Sequence, residues 1–102
     1  MSAKISDPIT LAEPIQRAGG EAIANVTVRK PDVGTLRGLK LLELLRMDVA
    51  SHCTLLPRVT TPALLPDEVE ALDVSDFTAL VTATLSFFMP ADELAAIQAA
   101  GG

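Results

Sequence analysis

The sequence predicts an α+β fold that is mainly α, in which an N-terminal β-hairpin is followed by a small bundle of three to five helices. Apolar residues alternate on both sides of a Gly-Gly pair near the N-terminus, whereas after Pro31 they recur at spacings of three and four. The chain has 102 residues, of which 49% are apolar, but it holds only three Phe and no Trp or Tyr. These numbers predict one domain with a core of Leu, Val, Ile and Ala.

The hairpin is predicted from Ile9 to the residue before Pro31. Its turn is expected at Gly19-Gly20, because glycine accommodates the positive φ angles of tight turns. Pro14 lacks an N–H group and therefore predicts an edge strand or a bulge near the end of the first arm. The alternating residues are Ile9, Leu11, Val26 and Val28.

A helix is predicted from Val33 to Arg46, with Asp32 as its N-cap. At 3.6 residues per turn its leucines point to two sides, which are Leu36, Leu39 and Leu42 on one and Leu41, Leu44 and Leu45 on the other. A helix that is apolar on two sides is either central to the fold or contacts both its own core and something else.

Two further helices are predicted before residue 73. Asp48 is positioned to cap a helix over residues 49–59, in which Pro57 is expected to cause a kink or an early end. Pro66 suits the first position of a short helix that runs through Leu72.

The most regular helical pattern follows Asp73 or Ser75, either of which can serve as the N-cap, and Pro90 is expected to end this helix. Its apolar positions predict that it is central to the core; they are Phe77, Leu80, Val81, Thr84, Leu85 and Phe88. The predicted domain organisation is therefore a flexible N-terminus at residues 1–8, a domain at residues 9–89, and a short helix or flexible tail at residues 90–102.

Charge and composition argue against several classes of partner. The net charge is −5 and the eight Lys and Arg residues are scattered, so nucleic-acid binding is not expected. The longest uncharged run, residues 77–91, is shorter than the ~20 residues that a membrane-spanning helix needs. The N-terminus lacks the apolar stretch of a secretory signal, and a reducing cytosol suits the single Cys53.

No catalytic, cofactor or metal site is predicted. His52 and Cys53 are adjacent, so on a helix they point about 100° apart, and a structural role is favoured over a nucleophile and base pair. An enzyme that uses Cys53 remains an alternative that fast labelling by a thiol reagent would support. The carboxylates of residues 67–76 fit helix caps and solvated faces better than a cation site, and one His with one Cys cannot build a Cys/His metal site.

The residues predicted to bind a partner are the second leucine face and nearby cations: Leu41, Leu44, Leu45, Arg29 and Arg37. A positive mean hydropathy in a chain this small indicates more apolar surface than it can bury by itself. The arginines can dock an acidic segment, although a solvated role is the simpler interpretation.

Several segments together resemble the phage tail assembly chaperone family of contractile-tailed phages and Mu-like prophages. The resemblance covers residues 9–88, and its characteristic pieces are Val28-Arg29-Lys30-Pro31, Leu36-Arg37-Gly38-Leu39, Leu56-Pro57-Arg58-Val59, the linker from Pro62 to Leu72, and Phe87-Phe88. The tail after Pro90 matches nothing distinctive in that family.

This resemblance implies a non-enzymatic protein of the host bacterial cytoplasm that coats the tape measure protein, keeps it soluble and is absent from the mature virion. It also implies a possible homo-oligomer and a possible longer form of the same chain made by ribosomal frameshifting. The alternative is a small structural subunit of the tail or baseplate that is retained in the particle.

Overall fold

The computed structural model describes residues 5–88 together with residues 92, 93 and 96. A three-stranded antiparallel sheet has the order β1-β2-β3 and is accompanied by four helices within these residues. The elements are β1 (Ile9–Gln16), β2 (Ala22–Val28), α1 (Leu41–Leu45), α2 (Val49–Val59), β3 (Thr60–Thr61), α3 (Pro66–Glu70) and α4 (Val74–Leu85). The predicted α+β class with an N-terminal hairpin is confirmed.

The hairpin follows its predicted turn and irregularity. Gly19 and Gly20 have φ angles of 95° and 88°, in the region that favours glycine. The pairing register of β1 against β2 shifts between Thr10 and Ile15, the interval that contains Pro14. The edge strand predicted from this proline is confirmed, since β1 lies at the edge of the sheet, and its pairing is irregular at the proline.

A third strand and an N-terminal contact extend the hairpin beyond the predicted elements. Residues 60–61 pair with β2 and were assigned to no element from the sequence, because two residues are too few to show an alternating pattern. On the same strand, Ser6 donates its backbone N–H to the Val28 carbonyl at 2.7 Å and accepts the Val28 N–H on its Oγ at 2.9 Å. Residues 1–4 and most of the tail after Pro90 lie outside the described residues.

The continuous helix predicted from Val33 to Arg46 is wrong. The chain forms a 3-10 turn at Gly34–Leu36, which Asp32 caps by accepting the Thr35 N–H at 2.8 Å, and Gly38 then adopts a φ of 84°. Arg58 donates to the Thr35 carbonyl at 2.8 Å and to the Arg37 carbonyl at 3.0 Å. Those carbonyls would have to accept N–H groups four residues later in a helix, so α1 begins only at Leu41.

The helix around Pro57 has the predicted bounds and does not end early at the proline. Asp48 caps α2 as expected by accepting the Ser51 N–H, but the helix continues past Pro57 to Val59. A proline in the last turn removes a single helical hydrogen bond. The final carbonyls have tertiary donors instead, because Arg29 Nη2 donates to the Arg58 carbonyl at 2.9 Å and the Arg29 N–H to Val59 at 2.8 Å.

The last two helices begin where predicted but end earlier, since α3 ends at Glu70 and not Leu72 and α4 ends at Leu85, before Pro90. Pro66 occupies the start of α3, and Asp73 caps α4 by accepting the Ser75 N–H. The core is a single cluster fed by the sheet and all four helices. Its fully buried larger side chains are Val26, Val28, Leu44, Leu55, Leu56, Val59, Leu64, Val69, Leu80, Val81 and Leu85.

Candidate partner-binding surface

An apolar groove lies between the turn before α2 and the helices α2, α3 and α4. Its volume is about 380 Å³, and Glu70 is the one charged side chain that lines it. The remaining lining residues are Met47, Val49, Cys53, Val69, Leu72, Val74, Phe77, Thr78 and Val81. We call the surface formed by these residues and Glu70 the α2–α4 groove. A concave apolar surface of this kind is typical of sites that take an apolar side chain or helix face.

Two valines form the exposed rim of this groove. Val49 is 62% exposed and Val74 is 79% exposed. Each is the first residue of its helix and directly follows the capping aspartate, Asp48 or Asp73. Because the caps determine where the helices begin, they also hold both valines at the surface. The floor is formed by buried and half-buried side chains of the core cluster.

The apolar surface continues across α2. A second depression shares Val49, Cys53 and Glu70 with the groove and extends to Pro57 and Pro66. The combined surface therefore crosses α2 from the start of α4 to the start of α3, which is long enough to contact more than one side chain of a partner.

His52 and Cys53 do not form a catalytic pair. The His52 ring is fully buried and its Nε2 lies 2.8 Å from the Leu44 carbonyl oxygen, whereas Cys53 is half-buried at the groove. Burial, with a smaller contribution from Glu70, raises the pKa of the Cys53 thiol, which disfavours the thiolate. Burial lowers the pKa of His52, so this ring is held neutral. Both residues have the structural environment predicted from the sequence.

The leucines predicted to face a partner are separated by the structure. Leu41 is 54% exposed, but Leu44 and Leu45 are only 0% and 6% exposed and belong to the core. The prediction assumed one long helix with a free second face, whereas the short α1 turns its last two leucines inward. Of the three, Leu41 is the accessible one.

The two predicted arginines also differ. Arg29 Nη2 donates to the Arg58 carbonyl and, at 3.3 Å, to Thr35 Oγ1, so its guanidinium holds the segment after β2 against the end of α2. Arg37 is exposed, and its carbonyl accepts from Arg58. The structure thus brings Arg29, Arg37 and Arg58 together around one loop and leaves the Arg37 side chain at the surface.

The groove residues were not predicted as a site from the sequence. Phe77 was assigned to the core, and Val49 and Val74 were not among the residues predicted to bind a partner. A usable signal was present, because a β-branched apolar residue directly after a capping aspartate lies in the first helical turn, where side chains are often exposed.

The part of the chain that the structure describes offers neither a metal site nor a membrane-spanning helix. No group of three or more His, Cys, Asp and Glu side chains is arranged to hold a metal ion there. None of the helices that the structure describes is long and apolar enough to cross a membrane.

Comparison with known proteins identifies the family. The family model for "Phage tail assembly chaperone proteins, E, or 41 or 14" matches residues 8–89. The chain is 40% identical over 82 residues to tail assembly protein E of Escherichia phage P2, covering 80% of this chain and 89% of that protein. It is also 40% identical over 81 residues to tail assembly protein E' of the same phage, covering 79% of this chain and 56% of that longer protein. No solved structure matches the chain significantly. The chain belongs to the phage tail assembly chaperone family.

Proposed function

We propose that this protein binds the tape measure protein of its phage or prophage and keeps it soluble while the tail is assembled. The observation that carries the proposal is the apolar surface of the α2–α4 groove, exposed in a chain of the tail assembly chaperone family. A client of great length that is exposed before the tail tube surrounds it needs its apolar helix faces covered. A groove that accepts such a face reversibly provides that cover.

Reversibility follows from the modest size of the surface. Burial of apolar area contributes about 25 cal/mol per Å², and association itself costs several kcal/mol. A single small groove therefore binds weakly, whereas many copies along one client retain it collectively. Weak individual contacts allow the chaperone to be displaced as tail subunits assemble.

We propose a second contact region formed by Leu41 and Arg37, which Arg29 supports indirectly. Leu41 is exposed at the start of α1, and Arg37 is exposed in the loop that precedes it. Leu44 and Leu45 act indirectly, since their burial fixes α1 and thereby positions Leu41. Arg29 acts in the same way on the loop through its bond to Arg58.

The proposal includes assembly partners and location. The relative E' is longer than E and shares the same matched segment, which supports a longer form of this chain made by ribosomal frameshifting. Homo-oligomers, and mixed oligomers with that longer form, are expected in the host cytoplasm and not in the mature virion. The nucleotide sequence of the gene and mass spectrometry of the expressed products test the longer form directly.

Co-expression with the tape measure protein tests the function. We expect the client to remain in the soluble fraction and to co-elute with this chain in size-exclusion chromatography. A client that stays insoluble with both this chain and any longer form, together with recovery of this chain from purified particles, would instead indicate a retained structural subunit of the tail or baseplate.

A further inference from the structure

We infer that the α2–α4 groove selects an amphipathic helix whose apolar face is flanked by Lys or Arg, and that Glu70 is the residue that reads this flank. The inference rests on the proposed function in treating the client as a protein chain, and it adds the chemical class of segment that the groove takes. Nothing in the family assignment specifies this groove or its charge preference.

The shape and lining of the groove favour a helix face over a single small molecule. The groove and the adjoining depression share Val49, Cys53 and Glu70, so the apolar surface is elongated across α2. Exposed valines stand at its rim and half-buried Phe77 lies along α4. Apolar side chains spaced three and four apart on a helix match an elongated surface of this kind.

The charge around the groove indicates a basic partner. Glu70 is exposed and lines the groove together with Cys53, and its charge contributes, after burial, to raising the pKa of the Cys53 thiol. Residues 59–102, which include α3 and α4, hold seven Asp and Glu residues and no Lys or Arg. A cation beside the bound apolar face would therefore meet a carboxylate without competition from that half of the chain.

Arg58 does not reverse this preference. It borders the adjoining depression, but its Nη1 donates to the carbonyls of Thr35 and Arg37. Its guanidinium is thus engaged with the loop before α1, whereas the Glu70 carboxylate has no hydrogen bond or ion pair to the described residues.

The same charges disfavour two other occupants. A second copy of this chain carries a net charge of −5 and would bring like charge to Glu70 at the groove. The chain's own tail is also acidic where it follows Pro90, at Asp92 and Glu93. A separate chain with a basic flank is the occupant that complements the groove.

Two designed peptides of about 20 residues, long enough to form a helix, test the inference. Both carry the same leucines at positions i, i+3, i+4 and i+7, and the flanking positions hold Lys in one and Glu in the other. We expect the Lys peptide to bind about two- to fivefold more tightly than the Glu peptide, as a favourable surface ion pair allows. A Lys peptide with a scrambled apolar pattern measures non-specific attraction to the acidic protein, and we expect it to bind more weakly than the patterned one.

Variants locate the binding. The E70K variant should remove or reverse the preference for the Lys peptide, whereas the matched variant E13K, which changes net charge equally at an exposed residue of β1 outside the groove, should preserve it. The double variant V49S/V74S should weaken both peptides by about tenfold, because two exposed valines lose their apolar contacts. V33S, at an exposed valine outside the groove, should leave both affinities unchanged.

Equal affinity for the two peptides, or an E13K effect as large as that of E70K, would overturn the inference. Conversion of an oligomer to a monomer by V49S/V74S, with no change in peptide binding, would assign the groove to a second copy and also overturn it. Failure of peptide selection with successful solubilisation of the client would refute this inference alone. Selective peptide binding without solubilisation of the client would refute the proposed function and leave the groove preference standing.

Discussion

The two sides of α4 differ. The side that faces the hairpin holds a buried, hydrogen-bonded carboxylate, whereas the side that faces the groove leaves apolar surface exposed. On the hairpin side, the buried Asp76 carboxylate accepts the Ala12 N–H at 2.8 Å and the Glu13 N–H at 3.0 Å, where the register shift leaves β1 without regular pairing. On the groove side, Val74 is mostly exposed and faces a cavity. One face of α4 therefore stabilises the fold, and the other presents exposed apolar surface.

The same contrast applies to α3. Glu68 accepts two hydrogen bonds from Arg17, both at 2.8 Å, and also accepts the Leu65 N–H at 2.9 Å. Glu70, two residues later, borders the groove without such a partner among the described residues. Changes on the hairpin side should therefore affect folding, and changes on the groove side should affect binding.

The largest effect on the free energy of unfolding is expected in the core, to which both the hairpin side and the groove side contribute. Leu44→Ala should lower the free energy of unfolding by about 2–5 kcal/mol, because it removes a fully buried side chain and leaves a cavity. Leu41→Ala, three residues earlier and exposed, should change it by no more than about 0.5 kcal/mol. Urea denaturation measures both, and equal costs would contradict the assignment of Leu44 to the core.

The Asp76→Ala substitution should have the next largest effect on stability, and this effect should be confined to the hairpin side. Two backbone N–H groups lose their carboxylate acceptor, and a hydrogen bond to such a group contributes about 1.5–3 kcal/mol, so a loss of at least about 2 kcal/mol is expected. The exposed Asp67→Ala is the matched control for loss of a carboxylate from an early helical turn. A loss that Asp67→Ala reproduces would show that the clamp on β1 contributes nothing.

Acid should weaken the fold through His52. Its pKa is lowered below 6.5 in the folded state, so folding favours the neutral ring and stability is lost as the pH falls below the unfolded value toward the folded one. Four carboxylates also have lowered pKa values, and their effect begins about one unit above the ordinary values of 3.8 for Asp and 4.5 for Glu; they are Asp32, Asp48, Glu68 and Asp73. The interval between about pH 5.5 and 6.5 therefore isolates the histidine. As the pH is lowered across this interval, the midpoint of thermal unfolding should fall for the natural chain and should change less for His52→Gln.

The smallest effect on stability is expected for the groove rim. V49S/V74S should change the free energy of unfolding by no more than about 0.5 kcal/mol per site, because both side chains are exposed and serine is tolerated at a helix start. Circular dichroism and urea denaturation check this. A large destabilisation would mean that the rim valines support the fold and that the contrast between the two sides fails.

The sequence predicted the elements whose signals are local. The Gly19-Gly20 turn, the caps Asp48 and Asp73, and the start of α3 at Pro66 each depend on neighbouring residues, and the structure confirms them. The helix from Val33 was wrong because tertiary hydrogen bonds from Arg58 hold two of the carbonyls that it required.

The candidate site was less predictable than the fold. Leucine spacing alone could not show that α1 is one short turn, so Leu44 and Leu45 were assigned to a free face. The clamp of Asp76 on β1 joins residues 64 and 63 positions apart, and no pattern within α4 distinguishes it from a solvated carboxylate. The groove likewise exists only once three helices are packed together.

The most direct test of the central claim is co-expression of the tape measure protein with the natural chain and, in parallel, with V49S/V74S. We expect the natural chain to keep the client soluble and to co-elute with it, and we expect the folded double variant to do neither. Equal solubilisation by both chains would contradict the assignment of client binding to the α2–α4 groove.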